Sequence, residues 1–202
     1  LVRIAEMYAD LIEAEGDESL RLDVAHEVAH EWFYAVVGND HLGHGDTAQA
    51  GEHGHYGEPN GRCHLLNDLH TMNRILHERF PDTPIILYGH SMGSFLTRTY
   101  IIDHPEGLKG VVISGTGQNP GAVIAAGKLM AKLEMIDNGP MYHSPTLDKL
   151  AFGSYNKKYD HVRTKLDWLT RDEAVVDAYI ADPLCGAMAT AGMFHDMMGA
   201  LQ

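Results

Sequence analysis

The feature that most constrains this 202-residue chain is a glycine-rich turn between a short apolar run and an apolar-periodic segment. The run Ile85-Ile86-Leu87 predicts a buried strand, and residues 95–102 have the apolar spacing of a helix. A strand followed so closely by a helix leaves room only for a sharp turn. The sequence therefore predicts an α/β unit with this turn at the carboxyl end of a strand.

The turn reads Gly89-His90-Ser91-Met92-Gly93, which is a G-x-S-x-G pattern. Between a strand and a helix, this pattern is typical of a nucleophile elbow, in which a strained serine stands clear of the sheet. Ser91 is the candidate catalytic nucleophile, and the Met92 N–H at the helix start is the candidate oxyanion donor. The crowded turn is expected to require small residues two positions before and two positions after Ser91, and Gly89 and Gly93 meet that need. The alternative is a glycine-rich turn with an incidental serine.

The flanking segments extend the strand–helix alternation. Residues 65–78 place their apolar side chains on one helical face, Pro81 blocks continuation of that helix, and residues 110–117 predict a second strand with its exit turn. From residue 119 the patterns are helical and rich in Met, Tyr and Phe, as in a lid over an apolar pocket. We predict a helical N-terminal segment (1–32), an incomplete core of parallel sheet and flanking helices (33–118) and a helical lid (119–202).

Charge and cysteine content restrict the partners and the compartment. The net charge of −13 argues against nucleic acid and anionic membrane surfaces as partners. No apolar run approaches the ~20 residues of a membrane span, so stable membrane insertion is not expected. Cys63 and Cys185 lie far apart and outside any paired motif. A reducing, cytoplasmic location is therefore predicted.

A second motif, His26-Glu27-Val-Ala-His30, places two histidines one helical turn apart, as two zinc ligands would be. Residues 23–40 resemble the zinc helix of the gluzincin aminopeptidases. In that family a glutamate follows the second histidine by nineteen positions, where this chain has Gln49. The ligand set is incomplete, so no metal site is predicted. A zinc-dependent aminopeptidase fragment remains the alternative.

The next stretch leads into a loop rich in glycine and histidine. Tyr34, Val36 and Val37 favour strand, and Asp40-His-Leu-Gly-His-Gly45 follows as a turn-rich sequence. Five histidines occur between residues 41 and 64 without metal-ligand spacing. We predict a solvated, flexible loop here that shapes the rim of the site.

Residues 33–202 together resemble the monoacylglycerol lipase and lysophospholipase branch of the α/β-hydrolases, also described as serine aminopeptidase-like. The resemblance implies a partial α/β-hydrolase fold. It also implies a serine hydrolase that cleaves a small lipid ester of the monoacylglycerol or lysophospholipid type by an acyl-enzyme mechanism, without a cofactor. The segments that carry the resemblance are residues 40–45, 89–93, 112–117, 150–159, 167–172 and 182–186.

In that family an acid and a base follow the nucleophile on later loops. Here the only late acid–base pair is His195-Asp196, whose side chains point roughly 100° apart on a helix. The chain also begins with Leu1. We expect a truncated or chimeric hydrolase with weak or no activity as this chain, and free sheet edges that favour self-association. A non-catalytic hydrolase-like module is the further alternative.

Overall fold

The computed structural model describes residues 37–48 and 51–201. Within these ranges the regular elements after the second strand are all helical, as the sequence predicts. A 3-10 turn at Gly45–Thr47 comes first. The order is then α1 (Gly61–Arg79), β1 (Ile85–His90), α2 (Met92–Asp103), β2 (Leu108–Ser114), α3 (Gly121–Asn138), α4 (Pro145–Phe152), a 3-10 turn (Tyr155–Lys158), α5 (Glu173–Ala181) and α6 (Ala191–Ala200).

The sheet of the described part consists of β1 and β2, which run parallel. Leu87 lies opposite Val111, and Gly89 lies opposite Ile113. Parallel neighbours need a crossover connection, and α2 provides it while packing on β1. The predicted α/β class, with parallel strands flanked by helices, is confirmed.

The strand prediction is correct for β1, but the prediction that this strand is buried is wrong. Ile86 is 53% exposed and Tyr88 is 49% exposed, whereas Gly89 is buried. Burial alternates along the strand because α2 covers one face of β1 and no described element covers the other to the same degree. An apolar run indicates that a strand is suited to burial on both faces. It does not show that both faces are covered in the folded chain.

The hydrophobic core joins the helices on both sides of residue 118. Leu65 in α1, Leu96 in α2, Ala131 in α3 and Phe194 in α6 are buried members of one cluster. Burial of each of the large side chains contributes about 1.5–3 kcal/mol. The helical region after β2 therefore shares its core with the helices beside the sheet. The other buried members are Tyr56, Leu147, Ala189, Ala191 and Met193.

The later helices begin at polar capping residues. The Leu147 N–H donates to Ser144 Oγ at 3.0 Å before α4, and the Met193 N–H donates to Thr190 Oγ1 at 3.2 Å before α6. Asp172 accepts from two backbone N–H groups at the start of α5. Each cap satisfies donors that have no partner inside the helix, which fixes where the helix starts.

The histidine-rich loop is packed, so the prediction of a solvated loop is wrong for its central residues. His55 and Tyr56 are only 6% and 1% exposed. The Thr190 N–H donates to the Gly54 carbonyl at 2.8 Å, and His55 Nδ1 lies 2.9 Å from Thr190 Oγ1. Pairing with the residues before α6 thus draws this segment into the core.

The strand predicted at residues 34–37 can be checked only at Val37, which has no regular secondary structure and is 49% exposed. Residues 33–36 and the predicted N-terminal helical segment, 1–32, lie outside the described residues. Neither Cys63 nor Cys185 forms a disulfide bond within the described ranges. No helix in the described ranges is long and apolar enough to cross a membrane.

Candidate active site

The candidate site is centred on Ser91, which stands between the last residue of β1 and the first residue of α2. Its backbone has φ 48° and ψ −116°, a conformation that non-glycine residues rarely adopt. This is the strained turn that the sequence pattern predicts. Ser91 is also exposed, so its hydroxyl is open to an incoming molecule.

Gly89 is required by close packing within the turn. A Cβ at this position would overlap Thr97 Oγ1 and would come within 2.8 Å of the Gly93 carbonyl carbon. Gly93 differs, because a Cβ there meets no described atom within 4 Å. The steric prediction therefore holds for Gly89 and is wrong for Gly93 within the described part of the chain.

Hydrogen bonds hold the Ser91 backbone from two sides. Its N–H donates to the Ser114 carbonyl at the end of β2, at 3.0 Å. Its carbonyl accepts from the Ser94 N–H at 2.9 Å and from the Ser94 hydroxyl. Ser94 is fully buried. The sheet fixes the amide of Ser91 and α2 fixes its carbonyl.

Met92 is the first residue of α2, so its N–H has no acceptor within the helix. The helix dipole places partial positive charge at this end, which favours a developing oxyanion. The Met92 side chain packs against the hydrophobic core and anchors the start of the helix. The location agrees with the sequence argument, and the role as oxyanion donor stays a prediction.

His90 ends β1 and is exposed. Its Nδ1 lies 3.1 Å from Ser114 Oγ, and no side chain in the described ranges is hydrogen-bonded to the Ser91 hydroxyl. Ser94 and Ser114 are therefore residues of this site that the motif did not reveal. The available signals were the serine three positions after Ser91 and the serine that ends the next strand.

The late pair His195 and Asp196 lies closer together than the helix-angle argument predicts, with 3.4 Å between Nδ1 and Oδ1. Asp196 Oδ2 also accepts the Arg62 N–H at 3.1 Å, in the first turn of α1. A carboxylate at a helix N-terminus is a stabilising cap. The structure gives Asp196 a structural role, and none of the hydrogen bonds of the described residues joins this pair to Ser91.

Burial shifts the pKa values of several polar side chains in the loop before α1. Desolvation lowers the pKa of His55 and of His41, because it penalises the imidazolium form. Desolvation also raises the pKa of the Tyr56 phenol. These groups belong to the packed loop, and a hydrogen bond between His55 Nδ1 and Thr190 Oγ1 ties this loop to the start of α6.

In the described ranges no group of three His, Cys, Asp or Glu side chains is placed to hold a metal ion. His26, Glu27, His30 and Gln49 lie outside the described residues.

The parallel strand pair, the crossover helix and the strained serine turn define a fold of the α/β-hydrolase class. A family model described as "Serine aminopeptidase, S33" (Hydrolase_4) matches residues 16–202. The chain belongs to this family, and the predicted resemblance to the serine aminopeptidase-like α/β-hydrolases is confirmed. A comparison with curated proteins found no match.

Solved structures give the same fold. The chain is similar to a highly thermostable carboxyl esterase from Bacillus coagulans in complex with glycerol, with 25% identity, a TM-score of 0.70 and coverage of 81% of this chain and 53% of that one. It is also similar in fold to a lipase in an open form, with 24% identity, a TM-score of 0.64 and coverage of 80% and 53%. The chain thus spans about half the length of these structures, with 53% of each covered.

Proposed function

We propose that this chain carries the nucleophile of a serine hydrolase that cleaves carboxylic esters, and that Ser91 is that nucleophile. The observation that carries the proposal is the exposed Ser91 side chain on a strained turn, with φ 48°, at the start of α2. Strained residues persist where the surrounding structure determines them, and they concentrate at functional sites. Membership of the S33 family agrees with this role.

The proposed chemistry, in a complete member of the family with its histidine base in place, is two-step acyl transfer. Ser91 Oγ attacks the ester carbonyl carbon while its proton passes to a histidine base, and the Met92 N–H donates to the resulting oxyanion. The intermediate then expels the alcohol, which takes up the proton, and leaves an acyl group on Ser91. Water hydrolyses this acyl-enzyme and restores the hydroxyl. The chain's own contribution is a fixed serine backbone and a helix N-terminus beside it.

We propose lipid esters of the monoacylglycerol or lysophospholipid type as substrates. The two similar structures are named as a carboxyl esterase and a lipase, which supports an ester substrate. The helical region after β2 exposes large apolar side chains, among them Leu133 at 54% and Leu150 at 65%. Such side chains suit contact with an acyl chain, so this region is our proposed lid.

The activity of this chain by itself is expected to be low. A serine hydroxyl without a base is a weak nucleophile, and in the described part no histidine is hydrogen-bonded to Ser91. Because the members of a catalytic triad act as a unit, an unassisted serine loses several orders of magnitude in rate.

The first test is covalent labelling with a fluorophosphonate probe, followed by mapping of the modified peptide. Ser91 Oγ bonds to phosphorus, fluoride leaves, and the hydroxyl proton is released. We expect slow labelling at Ser91 in the wild-type chain, none there in Ser91→Ala, and little or no hydrolysis of a p-nitrophenyl ester by either chain.

Ser154→Ala is the matched control, since Ser154 is an exposed serine beside a 3-10 turn and away from the elbow. It should label like the wild type. Absence of label at Ser91 in the folded wild-type chain would contradict the proposal.

A further inference from the structure

The carboxyl ends of β1 and β2 are joined by two adjacent hydrogen-bonding contacts that both involve Ser114. The Ser114 carbonyl accepts the Ser91 N–H at 3.0 Å, and the Ser114 hydroxyl lies 3.1 Å from His90 Nδ1. Since His90 and Ser91 are consecutive, Ser114 of β2 contacts the residues on both sides of the peptide bond that leads into the turn. His90 and Ser114 also lie opposite each other in the parallel register.

The His90 ring has a further contact with the exit turn of β2. Gly115, with φ 58°, lies close to the ring, and a Cβ there would be only 2.7 Å from His90 Cε1. A side chain at Gly115 would therefore displace the imidazole from Ser114. The backbone of β2 approaches His90 closely enough to restrict the position of the ring.

These contacts determine a backbone conformation that the isolated residue would avoid. Ser91 has a positive φ, and such a conformation is kept only when its surroundings fix it. Ser94 fixes the Ser91 carbonyl from α2, and Ser114 fixes the amide from β2. The bond between His90 and Ser114 lies next to this amide and holds the two strand ends at the distance that the amide bond requires.

We propose that His90 and Ser114 are positioning residues, whose side-chain hydrogen bond sets the orientation of Ser91 for attack. This inference rests on the proposed function, because the orientation matters only if Ser91 Oγ reacts. Neither side chain needs to touch the substrate. The effect reaches Ser91 through the peptide that links it to His90 and through the Ser114 carbonyl.

The test compares variants at both ends of this bond in the full chain. Ser114→Ala and His90→Leu remove the bond, whereas Ser114→Thr and His90→Asn keep a hydrogen-bonding group at each position. We expect the two disruptive variants to lower the maximal rate of fluorophosphonate labelling at Ser91 by about tenfold or more. The probe concentration for half-maximal labelling should stay unchanged, and Ser114→Thr should restore the rate. Ser154→Ala again serves as the control.

A second readout does not depend on reactivity. Hydrogen exchange at the Ser91 N–H should be faster in Ser114→Ala than in the wild type, while the unfolding midpoint changes little. If the wild-type chain takes no label, the proposed function fails and the positioning role fails with it. Normal labelling of the wild type with unchanged labelling of the variants would instead contradict the positioning role alone. Unchanged labelling and unchanged exchange in both disruptive variants would overturn the inference. Mapping of the label to Ser114 would overturn it as well, because this hydroxyl would then be the nucleophile.

Discussion

At the scale of single residues, the elbow depends on one glycine and on a few hydrogen bonds. The positive φ of Ser91 costs of the order of 1–3 kcal/mol. Bonds from the Ser91 backbone to Ser94 and Ser114 offset this cost, and the close packing at Gly89 keeps β1 against α2. The strain is therefore local, and substitutions at neighbouring positions should change the free energy of unfolding by very different amounts.

The two glycines of the G-x-S-x-G pattern provide a matched pair for this prediction. Gly89→Ala should lower the free energy of unfolding by about 1–3 kcal/mol, because the new Cβ overlaps Thr97 and the backbone at Gly93. Gly93→Ala should be neutral or stabilise by up to about 1 kcal/mol, because its Cβ meets no described atom and alanine favours a helix. Urea unfolding of both variants measures the difference. Equal losses of stability would contradict the steric argument.

At the scale of elements, the loop before α1 is tied to the start of α6. His55 Nδ1 lies 2.9 Å from Thr190 Oγ1, and the same hydroxyl oxygen caps α6 by accepting the Met193 N–H. The other ring nitrogen, Nε2, is buried and has no hydrogen bond among the described residues, and Glu58 approaches it only to 3.9 Å. A neutral imidazole fits this position better than a charged one.

Burial lowers the pKa of His55 below its unfolded value of 6.5, and this sets the sign of the pH dependence. Above pH 6.5 both states are mostly neutral. As the pH falls through the unfolded pKa, the unfolded chain binds the proton first, so the free energy of unfolding should decrease until the folded pKa is passed. Denaturant unfolding between about pH 7.5 and 5.5 should show this decrease.

His55→Asn keeps a donor near Thr190 but cannot titrate in this range, so the decrease should become smaller. It should not vanish, because the pKa of His41 is lowered by burial in the same direction. His64→Asn, at an exposed position in α1, is the control and should leave the slope unchanged. An identical slope in His55→Asn and the wild type would show that the buried imidazole is not the cause.

At the scale of the whole molecule, the sheet that β1 and β2 form in the described ranges has an open face with exposed apolar side chains. Ile86 and Tyr88 are two positions apart on β1, so they point to the same face of the sheet, and both are about half exposed. In the described part each strand pairs along one edge only. Free edges and apolar sheet faces favour association with another chain, while the net charge of −13 opposes it.

We predict self-association that involves this sheet face and becomes stronger with added salt, because salt screens the repulsion between copies. Ile86→Thr should weaken it, since threonine keeps strand propensity but removes apolar surface. Ile102→Thr is the matched control, because Ile102 is 77% exposed near the end of α2 and not on the sheet. Sedimentation velocity over a range of concentrations measures the effect. A wild-type chain that stays monomeric at high salt, or equal effects of both substitutions, would contradict the prediction.

Local sequence patterns were sufficient to predict the strand, turn and helix around Ser91 and to indicate the family. The apolar run before residue 89, the glycine turn and the helical spacing after it placed β1, Ser91 and α2 correctly. The residues that carried the resemblance also indicated the S33 family. Strand, turn and helix signals act over a few residues, because they arise from backbone geometry and from the periodicity of side chains.

The tertiary structure alone decided which of these residues are covered and what each polar side chain contacts. It buried His55 and Tyr56 in a loop that reads as polar, and it left Ile86 exposed in a strand that reads as buried. It also joined residues far apart in the chain, with Asp196 capping α1 and Ser114 bonded to His90. Burial and long-range hydrogen bonds depend on which elements pack together. A local sequence pattern contains no record of that choice, since the same amphipathic segment can be covered by many partners.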